Sequence, residues 1–146
     1  NIPCDLNDTA WFDRIDASGG VVFFAAGVFY YFLREQVRAL VQRMAAAFPG
    51  GVLVFDAANE KAVRLMLKTW IRDAKIKDVG AYFAVADAKA ELGPWDSRLQ
   101  ISSRGYMLGY HDLKDPSVSG FFRFLARVGD RSMNMQIVRI GFGGEI

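Results

Sequence analysis

The sequence predicts an α/β fold, on three observations. The stretch Gly19 to Phe32 reads GGVVFFAAGVFYYF: it opens on a glycine pair, carries no charge, breaks at Gly27 and is too short for an ordinary helix. A Val- and Phe-rich run of that kind reads as a strand buried on both faces, as in the middle of a parallel sheet. Residues 34 to 48 then place apolar side chains at helical spacing. Finally, strand, helix, strand and helix follow one another with short joins, which is the pattern of right-handed parallel crossovers. In open sheets of this class ligands bind outside the carboxyl ends of the strands, so the corner from Ala25 to Tyr31 is where a site is expected.

The elements are placed in order as follows. Asn1 to Asp8 reads as the end of a strand entering a turn, because Asn and Asp side chains imitate turn hydrogen bonds. Thr9 to Ile15 gives a short helical turn with Trp11 and Ile15 on one side. After the first long strand, Val37, Leu40, Val41, Met44 and Phe48 form the buried stripe of a helix whose other positions hold Arg34, Arg38, Gln42 and Arg43. Pro49-Gly50-Gly51 ends that helix. Val52 to Phe55 is a second buried strand closing on Asp56, and Asn59 is the N-cap of the next helix, with Val63, Met66, Leu67, Trp70 and Ile71 as its apolar stripe.

Further on, residues 86 to 92 predict a short helix broken by Gly93-Pro94, and Leu99 to Ser103 a strand. Asp115-Pro116 reads as an N-cap with proline in the first helical position. Phe121, Phe124, Leu125 and Val128 are the expected buried face of that helix, and Gly129 its stop. Met133 to Phe142 is expected as a last strand, antiparallel because the preceding helix leaves little length for a full crossover. No internal repeat, low-complexity segment or interdomain linker is visible.

With 146 residues the chain is one domain in size. Its hydrophobic fraction of 52% is high for a soluble domain, which implies either unusually full packing or apolar surface that something else covers. Eighteen basic and sixteen acidic residues are scattered without runs of one sign, so nucleic-acid binding has no electrostatic support. The single cysteine, Cys4, excludes an internal disulfide and a cysteine-rich zinc site, and fits a reducing cytoplasm. Neither a signal peptide nor a stretch long enough to span a bilayer is apparent, so the expected location is cytoplasmic, with no membrane partner. HExxH, P-loop and GxSxG motifs do not occur, which removes the usual supports for metal hydrolase, nucleotidase and serine esterase readings.

Several strings occur together in an order that carries a resemblance: CDLND followed by Trp11, AAGVFYYF at 25 to 32, FPGGVLVFD at 48 to 56, and later LGPWDSR, SRGYMLGY, GFFRFLARVGD and MNMQIVRI. In these the chain resembles the C-terminal half of a class I S-adenosylmethionine-dependent methyltransferase. More narrowly, it resembles the leucine carboxyl methyltransferase and tetracenomycin-type polyketide-synthesis O-methyltransferase family. The resemblance implies a Rossmann-like sheet of order 3-2-1-4-5-7-6, in which residues 1 to 4 are the end of strand 3. Residues 21 to 25 are then strand 4, 52 to 55 strand 5, 99 to 103 strand 6 and 133 to 142 strand 7. It implies a partial methyltransferase domain over residues 1–146 that lacks the first strands, with their glycine-rich loop and ribose-binding carboxylate. The consequence is an enzyme fragment inactive alone, with strand 4 left as an edge, so that the chain pairs with another copy along residues 21–25.

The same resemblance implies site residues. Asp5 and Leu6 fall where the family holds the adenine of S-adenosylmethionine, although Asp5 reads equally as a turn residue. Gly27, Phe29 and Tyr31 fall in the loop lining the cofactor and acceptor side, although aromatics at this spacing also read as packing; Ala26 stands where many members have an acidic residue. Methyl transfer to oxygen mainly needs alignment and desolvation of the reactants. A carboxylate acceptor needs no base, whereas a hydroxyl does. His111, the only histidine, is then the candidate base, against a surface-loop reading. Trp70, Arg104, Tyr106 and Tyr110 are candidates to line a pocket for a small-molecule acceptor, against core aromatics and a solvated arginine. The alternative function is a non-catalytic association module derived from a truncated methyltransferase fold.

Overall fold

A computed structural model describes residues 1–71, 80–106, 113 and 115–143 of the chain. Its centre is a sheet of β1 (Val22–Ala25), β2 (Val52–Ala57), β3 (Leu99–Gly105) and β4 (Gln136–Phe142). Their spatial order is β1-β2-β4-β3. β1 and β2 run parallel, with Ala25 beside Phe55, while β4 is antiparallel to both β2 and β3. The sheet is thus open and mixed, in the strand order expected, and the carboxyl ends of β1, β2 and β3 lie along one of its ends.

Alternation of side chains gives the sheet two unlike faces. Leu53, Phe55 and Ala57 on β2 and Val138, Ile140 and Phe142 on β4 are buried in one core with Phe23 and Ala25 packed against it. The other face carries Val22, Phe24, Val54, Asp56, Ile137 and Arg139, and Phe24 is 77% exposed. The expectation of a strand buried on both faces is corrected here. β1 is four residues long and lies at the sheet edge, and Val22 and Phe24 point away from the helices that close the core.

The helix α1 (Arg34–Ala47) buries Val37, Leu40, Val41 and Met44 against that core, as its periodicity predicts. At its start the Gln36 side chain accepts the Leu33 N–H at 2.8 Å. At its end the chain turns through Gly50, at φ +79°, into Gly51, where a Cβ would meet the Phe48 carbonyl at 2.9 Å. Arg34 ties this helix to the later chain: it donates to the Ala84 carbonyl at 3.2 Å, pairs with Glu91 at 2.9 Å and lies over the Trp95 ring.

Asn59 caps α2 (Glu60–Met66) as predicted, its side chain accepting the Ala62 N–H at 3.0 Å. The helix then continues as a single π turn, Leu67–Ile71, and the Trp70 and Ile71 side chains lie outside the described part of the structure. Residues 81–86 belong to no strand but alternate in burial, with Ala81, Phe83 and Val85 buried, a contribution to the core that the sequence reading left out. Their backbone is held by the Tyr30 and Ala58 carbonyls, which accept from Tyr82 and Val85 at 2.7 and 2.8 Å. The short helix α3 (Ala88–Leu92) is capped by Asp87, and Gly93–Trp95 continues it as a 3-10 turn.

Several expectations near the chain ends are corrected. Residues 1–4 form no strand; Asp5 to Asp8 is a turn closed by the Asp8 N–H on the Asp5 carbonyl at 3.0 Å. The helix α4 (Gly120–Ser132) is capped by Ser119, whose hydroxyl accepts the Phe122 N–H at 3.2 Å, whereas Asp115 accepts from Ser117 within its own turn. It passes through Gly129, and Phe121, Phe124, Leu125 and Val128 are exposed, Ala126 being its buried residue. Helical spacing identified one apolar face correctly but carries no information on whether an element packs against it. β4 begins at Gln136 because Asn134, at φ +46°, turns the chain first. Among the described residues no helix is long and apolar enough to cross a membrane.

Candidate functional site

The parallel register of β1 and β2 brings the Ala26-Gly27 turn beside Asp56, the residue after Phe55 in β2. Gly27 adopts φ +66°, which glycine takes without the steric cost a Cβ brings. Its N–H donates to the Asp56 carboxylate at 2.6 Å, so a charge-assisted hydrogen bond fixes the turn on the neighbouring strand. The next turn, Phe29–Tyr31, buries Tyr30 to 4% exposure. Burial pushes the Tyr30 hydroxyl well above the usual phenol range. The Asp56 negative charge and nearby Tyr106 act in the same direction. This side chain therefore stays an uncharged phenol beside Asp56, with which it lines the same cavity.

Two cavities meet at this point. The larger, about 630 Å³, lies over the open face of the sheet and is lined by Phe24, Ala25, Val54, Phe55, Ile137 and the shared group Gly27, Asp56 and Tyr106, with Ala26 at the turn. The smaller, about 360 Å³, runs under α2 and includes Tyr30, Tyr31, Leu65, Met66, Met133 and Met135 beside the same shared group. Both fall within the size of small-molecule pockets, roughly 300–1,000 Å³. They sit at the carboxyl ends of the parallel strands, at the corner where the sequence placed a site.

The residues expected to form that site are dispersed. Gly27 and Tyr106 border both cavities and Tyr31 the smaller one. Phe29 lies inside the core at 3% exposure, its ring 5.1 Å from that of Phe55, and lines neither. Asp5 is exposed and accepts from the Asn7 backbone at 2.9 Å, the turn geometry that its sequence context also predicted. Leu6 lines a separate cavity of about 220 Å³ along α1, with Asn7 and Arg43 among its neighbours. Arg104 is exposed on β3 opposite Ile137 and borders neither principal cavity. Tyr110, His111 and the Trp70 side chain lie outside the described residues.

Asp56 and Tyr30 were not singled out by the sequence reading. The available signal was a carboxylate ending the apolar run VLVFD, a position that a buried strand gives up to charge only where it leaves the core. No protein-family model matches the chain, and a search of curated proteins finds no match.

Proposed function

We propose that the chain forms the acceptor-side part of an S-adenosylmethionine-dependent O-methyltransferase acting on a small molecule. The observation that carries this reading is the sheet order β1-β2-β4-β3 with β4 antiparallel between β2 and β3. It is the order implied for strands 4, 5, 7 and 6 of the methyltransferase sheet. The cavity at the carboxyl ends of β1 and β2 supports it, since the acceptor side is expected there.

The described residues do not by themselves fit S-adenosylmethionine. Of Asp5, Leu6, Gly27 and Phe29, only Gly27 borders the principal cavities; Phe29 is packed into the core and Leu6 lies on another cavity. What the chain's own residues supply is an apolar recess with one carboxylate, held rigid by the Gly27 N–H, in which an acceptor can be oriented and shielded from water. Among the described residues no strand pairs with the outer edge of β1, which in this reading is the place for cofactor-binding strands to join.

One observation favours the second reading, an association module: the edge strand β1 presents Val22 and Phe24 unblunted by charge, proline or bulge. The two readings separate on one experiment. Protein expressed from its whole open reading frame is incubated with methyl-labelled S-adenosylmethionine and a panel of hydroxylated and carboxylated aromatics. The methyltransferase reading expects a labelled small-molecule product. Absence of product, together with a dimer or larger species in light scattering, supports the module instead.

A further inference from the structure

We infer that the joined cavities bind a neutral, hydroxyl-bearing apolar ligand whose hydroxyl donates to Asp56, and that they reject carboxylates. The inference narrows the acceptor class of the methyltransferase reading and rests on that reading for its catalytic meaning, though not for binding.

Among the described residues lining the two cavities Asp56 is the one charged side chain, with no lysine, arginine or histidine beside it. The donors at hand are already used inward: the Gly27 N–H is given to Asp56, and the Thr69 hydroxyl to the Leu65 carbonyl at 2.9 Å. Tyr30 is itself buried beside the same carboxylate. A carboxylate-bearing ligand would meet a negative charge and find little beyond tyrosine hydroxyls among the described lining residues to donate to it. Placing a second anion beside Asp56 in an apolar recess is costly because neither charge has a cationic partner.

Acceptor capacity, in contrast, is left over. A carboxylate offers about four lone-pair sites, and the Gly27 N–H occupies one of them. A ligand hydroxyl takes another, while its apolar body lies against Phe24, Val54 and Ile137 or against Leu65, Met66 and Met135. A hydrogen bond to a charged acceptor in such a place discriminates by roughly tenfold or more against a ligand unable to donate.

The test compares 1-naphthol with 1-naphthoate on the isotope-labelled 146-residue chain, following the Gly27 amide by NMR, whose shift reports directly on the Asp56 hydrogen bond. The expected result is saturable binding of naphthol with a shift at Gly27, and naphthoate binding at least about tenfold weaker. Asp56→Asn keeps an oxygen for the Gly27 N–H but removes the charge, and should reduce that preference severalfold or more. Tyr30→Phe, which leaves the Asp56 carboxylate and its Gly27 bond in place, should retain it. Equal or tighter binding of naphthoate, an unchanged preference in the Asn variant, or no binding of either compound overturns the inference. Naphthol preference without any methyl transfer would instead remove the methyltransferase reading alone. Transfer to acids without naphthol preference would remove the inference alone.

Discussion

Replacing Phe29 by alanine is expected to destabilise the protein by about 3–5 kcal/mol, the cost of emptying a filled aromatic position in a core. Phe29 is 3% exposed, and its ring packs edge-on against Phe55 at 5.1 Å and Phe83 at 6.3 Å. Its neighbours belong to β2 and to the segment 81–86, so the void cannot close without moving the strand that carries Asp56. The control is Phe24→Ala on the same corner. Phe24 is 77% exposed, and its replacement should change stability by less than about 0.5 kcal/mol. Urea denaturation of the two variants measures both. If Phe29→Ala unfolds like the parent protein, Phe29 is not a core residue and its assignment to the cavity wall returns.

The second large effect is expected at Asp56. Asp56→Ala should cost roughly 1.5–3 kcal/mol, the worth of a hydrogen bond to a charged group, because it removes the carboxylate that accepts the Gly27 N–H. Asp56→Asn should cost less than about 1 kcal/mol, since the amide oxygen still accepts from Gly27. Removing the acceptor also releases a turn held at positive φ by that one bond, so the Gly27 amide should gain hydrogen exchange in the alanine variant and keep its protection in the asparagine variant. Equal losses in the two variants would mean that the charge, and not the acceptor, holds the corner.

The sequence was most legible where one pattern recorded both conformation and burial. Val37, Leu40, Val41 and Met44 repeat at helical spacing and are buried as expected, and Asn59 caps the helix it was read to cap. In α4, Phe121, Phe124, Leu125 and Val128 have the same kind of spacing yet are exposed, because amphipathicity describes a helix and not its partner. β1 misled for a related reason. An apolar run reads as buried on both faces wherever it lies in the sheet, and only topology, which puts β1 at the edge, decides that Phe24 is uncovered.

The alternation Ala81, Phe83 and Val85 was present in the chain but too short and unbounded by turn residues to stand out, although it supplies part of the core. For the site, the strand-end rule pointed to the corner from Ala25 to Tyr31, which the two cavities border, while Asp56 and Tyr30 beside them did not stand out. Those two meet through a contact between residues 30 and 56, and no local spacing encodes it.

The central claim is that this chain supplies one side of a methyltransferase and relies on strands joined at β1 for its cofactor. Calorimetric titration with S-adenosylmethionine tests it most directly, on the 146-residue chain and on protein from the whole open reading frame in parallel. The account predicts no measurable heat of binding for the 146-residue chain and one equivalent bound by the whole product. Tight binding to the 146-residue chain would contradict the dispersal of Asp5, Leu6 and Phe29 away from Gly27. Absence of binding to the whole product would contradict the methyltransferase reading itself.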